Sequence, residues 1–424
     1  MSQSPFTLQS FKYSDDRLEI LNQLLLPHTI EYVEINSVEE AHDAIKSMKI
    51  RGAPAIASLA ALYIALYLKR SLNTAPAPKF LASTESLAAD ITPILDYLYT
   101  ARPTAVNLGA AMRRLHQALA ASVAAAEDVQ SATRRLIKEA EDVSNEDVGR
   151  NKEMARLGGE WLIEQVKQRG GGGKELNVLT VCNTGSLATS GYGTALGLIT
   201  YLHETGHLDK AYYTQTAPYH QGSRLTALEL QTLQIPSVMI CDTMVGSLFQ
   251  HHNIHAVGKY IHSLLIKNTF SLELDFSCGG RSGSQKRGHS KQGWSTRSCG
   301  SSIVISSRPQ IGTYNAAVLA ARHNIPFIVV APVSTVDLDV PDGSRIPIEH
   351  RPPVEACIIR GALYPGTEDD KAQAVVMFTP KGLTGIYNPS FDVTPAELIT
   401  AIVTEKGVAV KKEGEQQFDL SGIV

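Results

Sequence analysis

Apolar positions along the first 160 residues recur at helical spacing. SVEEAHDAIKSMKI opens with Ser-x-x-Glu, a capping-box signature, and continues with apolar residues three and four apart. IASLAALYIALYLKRSL is apolar enough to predict a helix buried on most sides. AVNLGAAMRRLHQALAASVAAA and the stretch to Trp161 keep the same period. TAPAPK at 74–79 and the turn at Arg102-Pro103 punctuate these segments. Four glycines, Gly170 to Gly173, form a flexible joint, either a domain linker or a loop before a first strand.

Past that joint, short β-branched runs alternate with helical ones. NVLTVCN, KAYYTQTAP, SVMICDTM and IPFIVVAP predict strands, with TGSLATSGYGTALGLITYLHETG, RLTALELQTLQI and IGTYNAAVLAARHN as the turns and helices between them. VEACIIRG and AQAVVMFTPK are expected to add edges to the sheet. The pattern predicts an α/β protein: a mainly helical N-terminal domain (1–165) followed by a Rossmann-like, parallel-sheet C-terminal domain (175–424). Ligands in such sheets collect at the carboxyl ends of the strands. That rule selects Cys182-Asn183-Thr184-Gly185, Thr216 to Gln221, Asp242 and the segment after Pro332.

Composition narrows the partners. The 424 residues carry 39 basic and 42 acidic side chains, a net charge of −3, so no global field draws the protein to nucleic acid. No run approaches the roughly 18 apolar residues of a membrane span, and no secretory signal is visible, so no membrane partner is expected. Cys182, Cys241, Cys278, Cys299 and Cys357 are scattered, odd in number and form no CxxC pair. A reduced compartment, the cytoplasm by default, and no structural zinc follow as expectations. His251, His252 and His255 have a metal-like spacing but no accompanying HExxH glutamate, and a polar turn is the plainer reading.

Cys182 ends a predicted strand and begins a Gly/Ser/Thr turn that enters a helix. Helix N-termini favour thiolate chemistry and attract anions, although an inert buried cysteine would have the same sequence. Arg51 opens RGAPAIA and Arg102 opens RPTAVNL, each before a proline and a helix start. Guanidinium donors there suit a phosphate, while either arginine alone reads equally as a surface turn residue. GYGTALG around Gly193 lacks GxGxxG spacing and does not support a dinucleotide site.

Together, RGAPAIA (51–57), RPTAVNL (102–108), TVCNTGSLATSGYGTALG (180–197), PYHQGSRLTALEL (218–230) and IGTYNAAVLAARHNIPFIVVAPVSTVD (311–337) resemble the methylthioribose-1-phosphate isomerase family. NPSFDVTPAELIT (388–400) is similar to that family's C-terminal signature. The wider superfamily includes regulatory subunits of the translation-initiation exchange factor, which lack the Cys-Asn-Thr-Gly element. The resemblance implies an aldose–ketose isomerase of methionine salvage that acts on a small sugar phosphate without metal or redox cofactor. It also implies a homodimer, in the cytoplasm and by family also the nucleus. By the same resemblance Cys182 is one half of a catalytic pair with an Asp, and Arg51, Gly52, Ala53, Arg102 and Gln221 bind substrate. A non-catalytic regulatory subunit and a ribose 1,5-bisphosphate isomerase are the alternatives.

Residues 258–310 break the resemblance. They hold 12 serines, eight Lys or Arg and two acids, about +6 against −9 for the remainder. The family's catalytic Asp belongs to a motif GADRxxxNGDxANKIGTY, of which only IGTY (311–314) stands in this chain. Gly258-Lys259-Tyr260 is encodable as GGTAAGTAT, which contains the 5′ splice consensus GTAAGT. Read one base out of frame, Cys278 to Ser295 is encodable as VGADRVVRNGDTANKVG, and Gln310 as CAG supplies a 3′ splice signal. The segment therefore reads as two short retained introns flanking an out-of-frame exon, which implies a eukaryotic gene whose small introns resemble those of fungi. A genuine basic, serine-rich insertion is the alternative. On the first reading the chain as written is impaired.

Overall fold

The computed structural model describes residues 8–260, 264–269, 302–307, 311–337, 348–364, 373–411, 418–420 and 422–423. The N-terminal region starts with strands, which the sequence pattern did not predict. β1 (Phe11–Tyr13), β2 (Leu18–Leu21) and β3 (Tyr32–Glu34) form an antiparallel sheet. Strands of three or four residues are too short to display a period of two.

Five helices follow: α1 (Val38–Lys46), α2 (Ala53–Leu72), α3 (Thr84–Thr100), α4 (Val106–Ala124) and α5 (Val129–Gln168). α1 carries the predicted capping box. Ser37 Oγ accepts the Glu40 N–H at 3.2 Å, and the Glu40 carboxylate accepts the Ser37 and Asn36 N–H groups at 3.3 and 2.7 Å. α2 is the centre of this layer, with sixteen of its twenty residues buried. Contrary to the sequence expectation, α2 is long and apolar enough to cross a membrane by length and composition, but most of it is buried within the protein. α5 runs for 40 residues, roughly 60 Å, and ends just before the glycine joint.

The joint leads directly into β4 (Leu176–Thr180), so it is a loop before a strand. Then come α6 (Ala195–Glu204), β5 (Leu208–Thr214), α7 (Ala227–Thr232), β6 (Ser237–Ile240), α8 (Val245–His251) and β7 (Ala256–Lys259). β8 (Leu264–Thr269) and β9 (Ser302–Ser307) precede α9 (Thr313–Arg322), β10 (Phe327–Val330) and β11 (Val336–Asp337). The chain continues through β12 (Ile358–Ala362), β13 (Gln373–Met377), β14 (Thr394–Pro395), β15 (Ala401–Thr404) and β16 (Gly407–Val410). The main sheet has the order β16-β15-β10-β7-β4-β5-β6 and is parallel except for β16. Its side chains alternate between two cores: Val178, Ala256 and Ile328 pack with α5 and α6, and Leu179, Val257 and Val329 with α8 and α9. β12 and β13 pair with each other as a separate hairpin and do not extend this sheet, which corrects the edge assignment. The true edge, β15 and β16, was missed because AIVTEKGVAV follows the helix-like PAELIT without a break in polarity.

β7 is the central strand of the seven, and it reads Ala-Val-Gly-Lys. Strands buried on both faces of a parallel sheet are ordinarily continuous apolar runs, as FIVV in β10 and AIVT in β15 are. Lys259 is only 2% exposed and its ammonium donates to the Val181 carbonyl at 2.8 Å. Burial pulls its pKa from 10.5 down to about 8, with the Cys182 and Asp392 side chains opposing that shift. A lysine that binds its proton more weakly when folded costs stability below pH 8 and returns it as the pH rises towards 10.5. Lys259→Met should therefore stabilise the chain at pH 7 by about 1–3 kcal/mol and flatten the rise across that window. Denaturant unfolding at several pH values reads both effects, and an unchanged slope would refute this account of the lysine.

Candidate active site

The carboxyl ends of β4, β5 and β7 and the start of α2 meet at one thiol. Cys182 lies two residues past β4, is 1% exposed and has φ of 69°, a left-handed conformation that strains any residue but glycine. Two threonines hold it there. Its N–H donates to Thr216 Oγ1 at 2.9 Å and its carbonyl accepts from Thr226 Oγ1 at 2.6 Å. Thr216 is itself left-handed, at φ 61°. Asp242 fixes it, accepting the N–H groups of Thr216 and Ala217 at 2.9 and 2.8 Å. The strand-end rule had selected all of Cys182, Thr216 and Asp242, and here they form one network.

The thiol faces two of the predicted substrate residues. Cys182 Sγ lies 3.2 Å from Gln221 Oε1 and 3.6 Å from Arg51 Nη1. Arg51 is buried and leads into α2 through Gly52, whose φ is 108°. A Cβ at Gly52 would lie 2.1 Å from the Ala188 carbonyl oxygen. Only glycine allows the chain to pass there, and this close approach seats the first turn of α2 beside the Cys182 loop. α2 has no side-chain cap and no acid in its first turn, and Ala53 shares a buried apolar cluster with Cys182. The positive helix end near the thiol therefore belongs to α2. The sequence reading assigned it to the helix after Cys182, but α6 begins only at Ala195, thirteen residues on.

Arg102 contacts a different set of groups. Its guanidinium, 13% exposed, lies 3.6 Å from Glu349 Oε2 and over the Phe391 ring at 6.0 Å. Burial lowers its pKa, Glu349 opposes that shift, and the charges of Arg51 and Arg351 add to it. The charges of Arg51 and Arg102 oppose each other, and a bound dianion would relieve that opposition.

Three further side chains were not singled out from sequence. Glu229 is fully buried and accepts from Ser186 N and Oγ, both at 2.6 Å, and from Leu187 N at 3.2 Å. Burial pushes its pKa up to about 7. Ser186 and Leu187 belong to the short turn whose Ala188 carbonyl packs on Gly52, so Glu229 braces the loop against the start of α2. Asp392 accepts the N–H groups of Gly312 and Tyr314 at 2.8 and 3.1 Å and so caps α9, with its pKa raised to about 6 by burial. Lys259 is the third. The motif that should carry the catalytic Asp falls in 258–310, mostly outside the described residues. The three histidines are engaged in local contacts: His251 Nδ1 with the Ser247 carbonyl, His255 Nδ1 with Asn177 N, and the His252 ring with Tyr212.

Comparison with known proteins is consistent with this geometry. The family described as the Initiation factor 2 subunit family matches residues 49–258 and 304–411. The unmatched interval lies inside the anomalous segment. A methylthioribose-1-phosphate isomerase of Laccaria bicolor is 62% identical over 418 residues, covering 98% of this chain and 100% of that one. One from Postia placenta is 60% identical over 420 residues, covering 98% and 99%. The crystal structure of 5-methylthioribose 1-phosphate isomerase from Pyrococcus horikoshii superposes with a TM-score of 0.70 at 29% identity, covering 96% and 95%. The delta subunit of translation initiation factor eIF-2B from A. fulgidus superposes with 0.67 at 31%, covering 95% and 96%.

The Gly52 contact gives a direct test of how the site is built. Gly52→Ala places a methyl group on the Ala188 carbonyl at a φ that alanine avoids, and should cost at least about 2 kcal/mol. Thermal or denaturant unfolding measures it. A neutral substitution would mean that the loop shifts freely.

Proposed function

The chain belongs to the Initiation factor 2 subunit family, among its methylthioribose-1-phosphate isomerases, and from that membership we propose how its site works and why this chain is impaired. The reaction converts 5-methylthioribose 1-phosphate to 5-methylthioribulose 1-phosphate. Phosphate on the anomeric carbon blocks spontaneous ring opening, so an acid must protonate the ring oxygen before hydrogen moves from C2 to C1. The phosphate is held by the N–H end of α2 at Gly52-Ala53 and by Arg51 and Arg102. Cys182 serves the reacting carbons, with Gln221 orienting its thiol. The apolar surroundings of Ala53, Val181 and Tyr260 keep water from the open-chain intermediate. One observation carries this reading: a buried, backbone-strained thiol touched by both Gln221 and Arg51 beside an uncapped helix start.

The impairment follows from residues 258–310. A carboxyl partner for Cys182 would come from the missing GADR motif, and Lys259 instead brings a buried ammonium to the end of the central strand. The family match stops at 258 and resumes at 304. The gap in the match coincides with the segment that encodes the motif in a shifted frame, and that coincidence favours retained introns around an out-of-frame exon over a functional insertion. The reading further includes a helical 1–165 domain before a Rossmann-like 175–424 domain, a cytoplasmic location, and a homodimer. Val376 and Phe378 share one face of the β12–β13 hairpin with Ile359, which pairs with Val376, and these half-exposed side chains offer an apolar surface for that association.

Sequencing the mature transcript decides the first question, since an mRNA retaining both segments in frame would sink the intron reading. Turnover decides the second. The chain as written should show little or no isomerisation of methylthioribose 1-phosphate, the chain with the shifted-frame motif restored should turn over, and Cys182→Ser in that chain should lose at least about a thousandfold in kcat. Equal activity of the two chains would refute the impairment. Turnover of ribose 1,5-bisphosphate in place of the methylthio sugar would favour the alternative substrate.

A further inference from the structure

Glu229 projects from α7 onto the turn that follows Cys182, and its two carboxylate oxygens accept from the backbone N–H groups of two consecutive residues. Oε2 accepts from Ser186 N at 2.6 Å and Oε1 from Leu187 N at 3.2 Å. The Ser186 hydroxyl, shared with the Leu8 carbonyl, also donates to Oε2 at 2.6 Å. The carbonyls of the same two residues are held by the N-terminal region. Ser10 Oγ donates to Ser186 O at 3.0 Å, and Gln23 Nε2 donates to Leu187 O at 2.7 Å. Gly185 makes room for the acid. A Cβ there would lie 2.3 and 2.5 Å from the two carboxylate oxygens and 2.6 Å from the carbon between them. The glycine of the Cys-Asn-Thr-Gly element is thus the floor on which a side chain of α7 rests.

We infer that Glu229 is a positioning residue for the phosphate end of the substrate: it sets the 186–188 turn against which the start of α2 is seated, and acts through that turn. The inference rests on the proposed isomerase reading, which places the phosphate at Gly52-Ala53. The Ala188 carbonyl fills the space that a side chain at Gly52 would need, and Ala188 N donates to Gly185 O at 3.0 Å. A shift of the turn is therefore passed to the N–H groups that open α2. A carboxylate suits two adjacent amides because both of its oxygens only accept. Glutamine offers one accepting oxygen and a donating NH₂, which leaves one of the two buried N–H groups without an acceptor. An anion held by helix N–H groups depends on where those groups point. A displaced turn should thus weaken phosphate binding more than it disturbs the thiol, whose backbone is held separately by Thr216 and Thr226.

Two measurements test this: calorimetric titration of methylthioribose 1-phosphate into the full chain and into the chain with the motif restored, and steady-state kinetics in the restored chain. Glu229→Gln should raise Kd and KM at least about fivefold, with a smaller change in kcat. Gly185→Ala, whose methyl group displaces the carboxylate, should do the same. If both act through one contact, the double variant is no worse than either alone. Ser186→Ala removes one donor, keeps both amide bonds and should raise KM about twofold. It carries the test should Glu229→Gln fail to fold, and melting curves identify the folded variants. A fall in kcat with KM unchanged, additive effects at 185 and 229, or an unchanged KM in every folded variant overturns the positioning role and leaves the isomerase reading standing. If neither chain binds the sugar phosphate, the isomerase reading falls and the positioning role with it.

Discussion

Holding Cys182 in a left-handed backbone at the end of a buried strand costs about 1–3 kcal/mol, and the site is organised around meeting that cost. Thr216 and Thr226 secure its N–H and carbonyl, Asp242 secures Thr216, and the segment from Thr216 to Thr226 carries Gln221 to the thiol. The same conformation turns the chain sharply enough for residues 183–188 to fold back under the start of α2. There Glu229 holds Ser186 and Leu187, and Ala188 meets Gly52. A change of backbone at this one residue would separate thiol, amide and arginine together.

The sequence showed much of this through local chemistry. Cys182, Thr216 and Asp242 were legible because a parallel sheet places ligands at its carboxyl edge, and each ends a recognisable β-branched run. Arg51 and Gln221 came from the family resemblance, since nothing in their spacing shows that 131 and 39 residues of chain separate them from the same sulfur. Glu229 and Asp392 could not be read at all. Their roles depend on which loops the strand order brings together, and a lone acid in ALELQT or SFDVT looks like surface. The helix whose positive end serves the site was misassigned for a related reason. Adjacency in sequence pointed to α6, while adjacency in space belongs to α2.

The segment that begins at 258 marks a difference between where a sheet tolerates a change of side chain and where it does not. Alanine, valine and glycine at 256–258 satisfy a two-sided core, and the strand survives to that point. The next residue carries a charge into the centre of the molecule. Backbone pairing with β10 continues through it, because the hydrogen-bond ladder does not depend on side-chain identity. The fold therefore persists around the lysine, because the pairing that builds the strand is indifferent to the side chain buried at its end.

α5 contributes Ala132, Leu136 and Ala140 to the core under α2, and Met154, Leu162 and Ile163 to the core under the parallel sheet. Each core thus uses a different half of one continuous helix as a wall. Neither can melt without fraying the element that the other packs on, and the helical layer and the sheet are coupled into one cooperative unfolding unit through that shared rod.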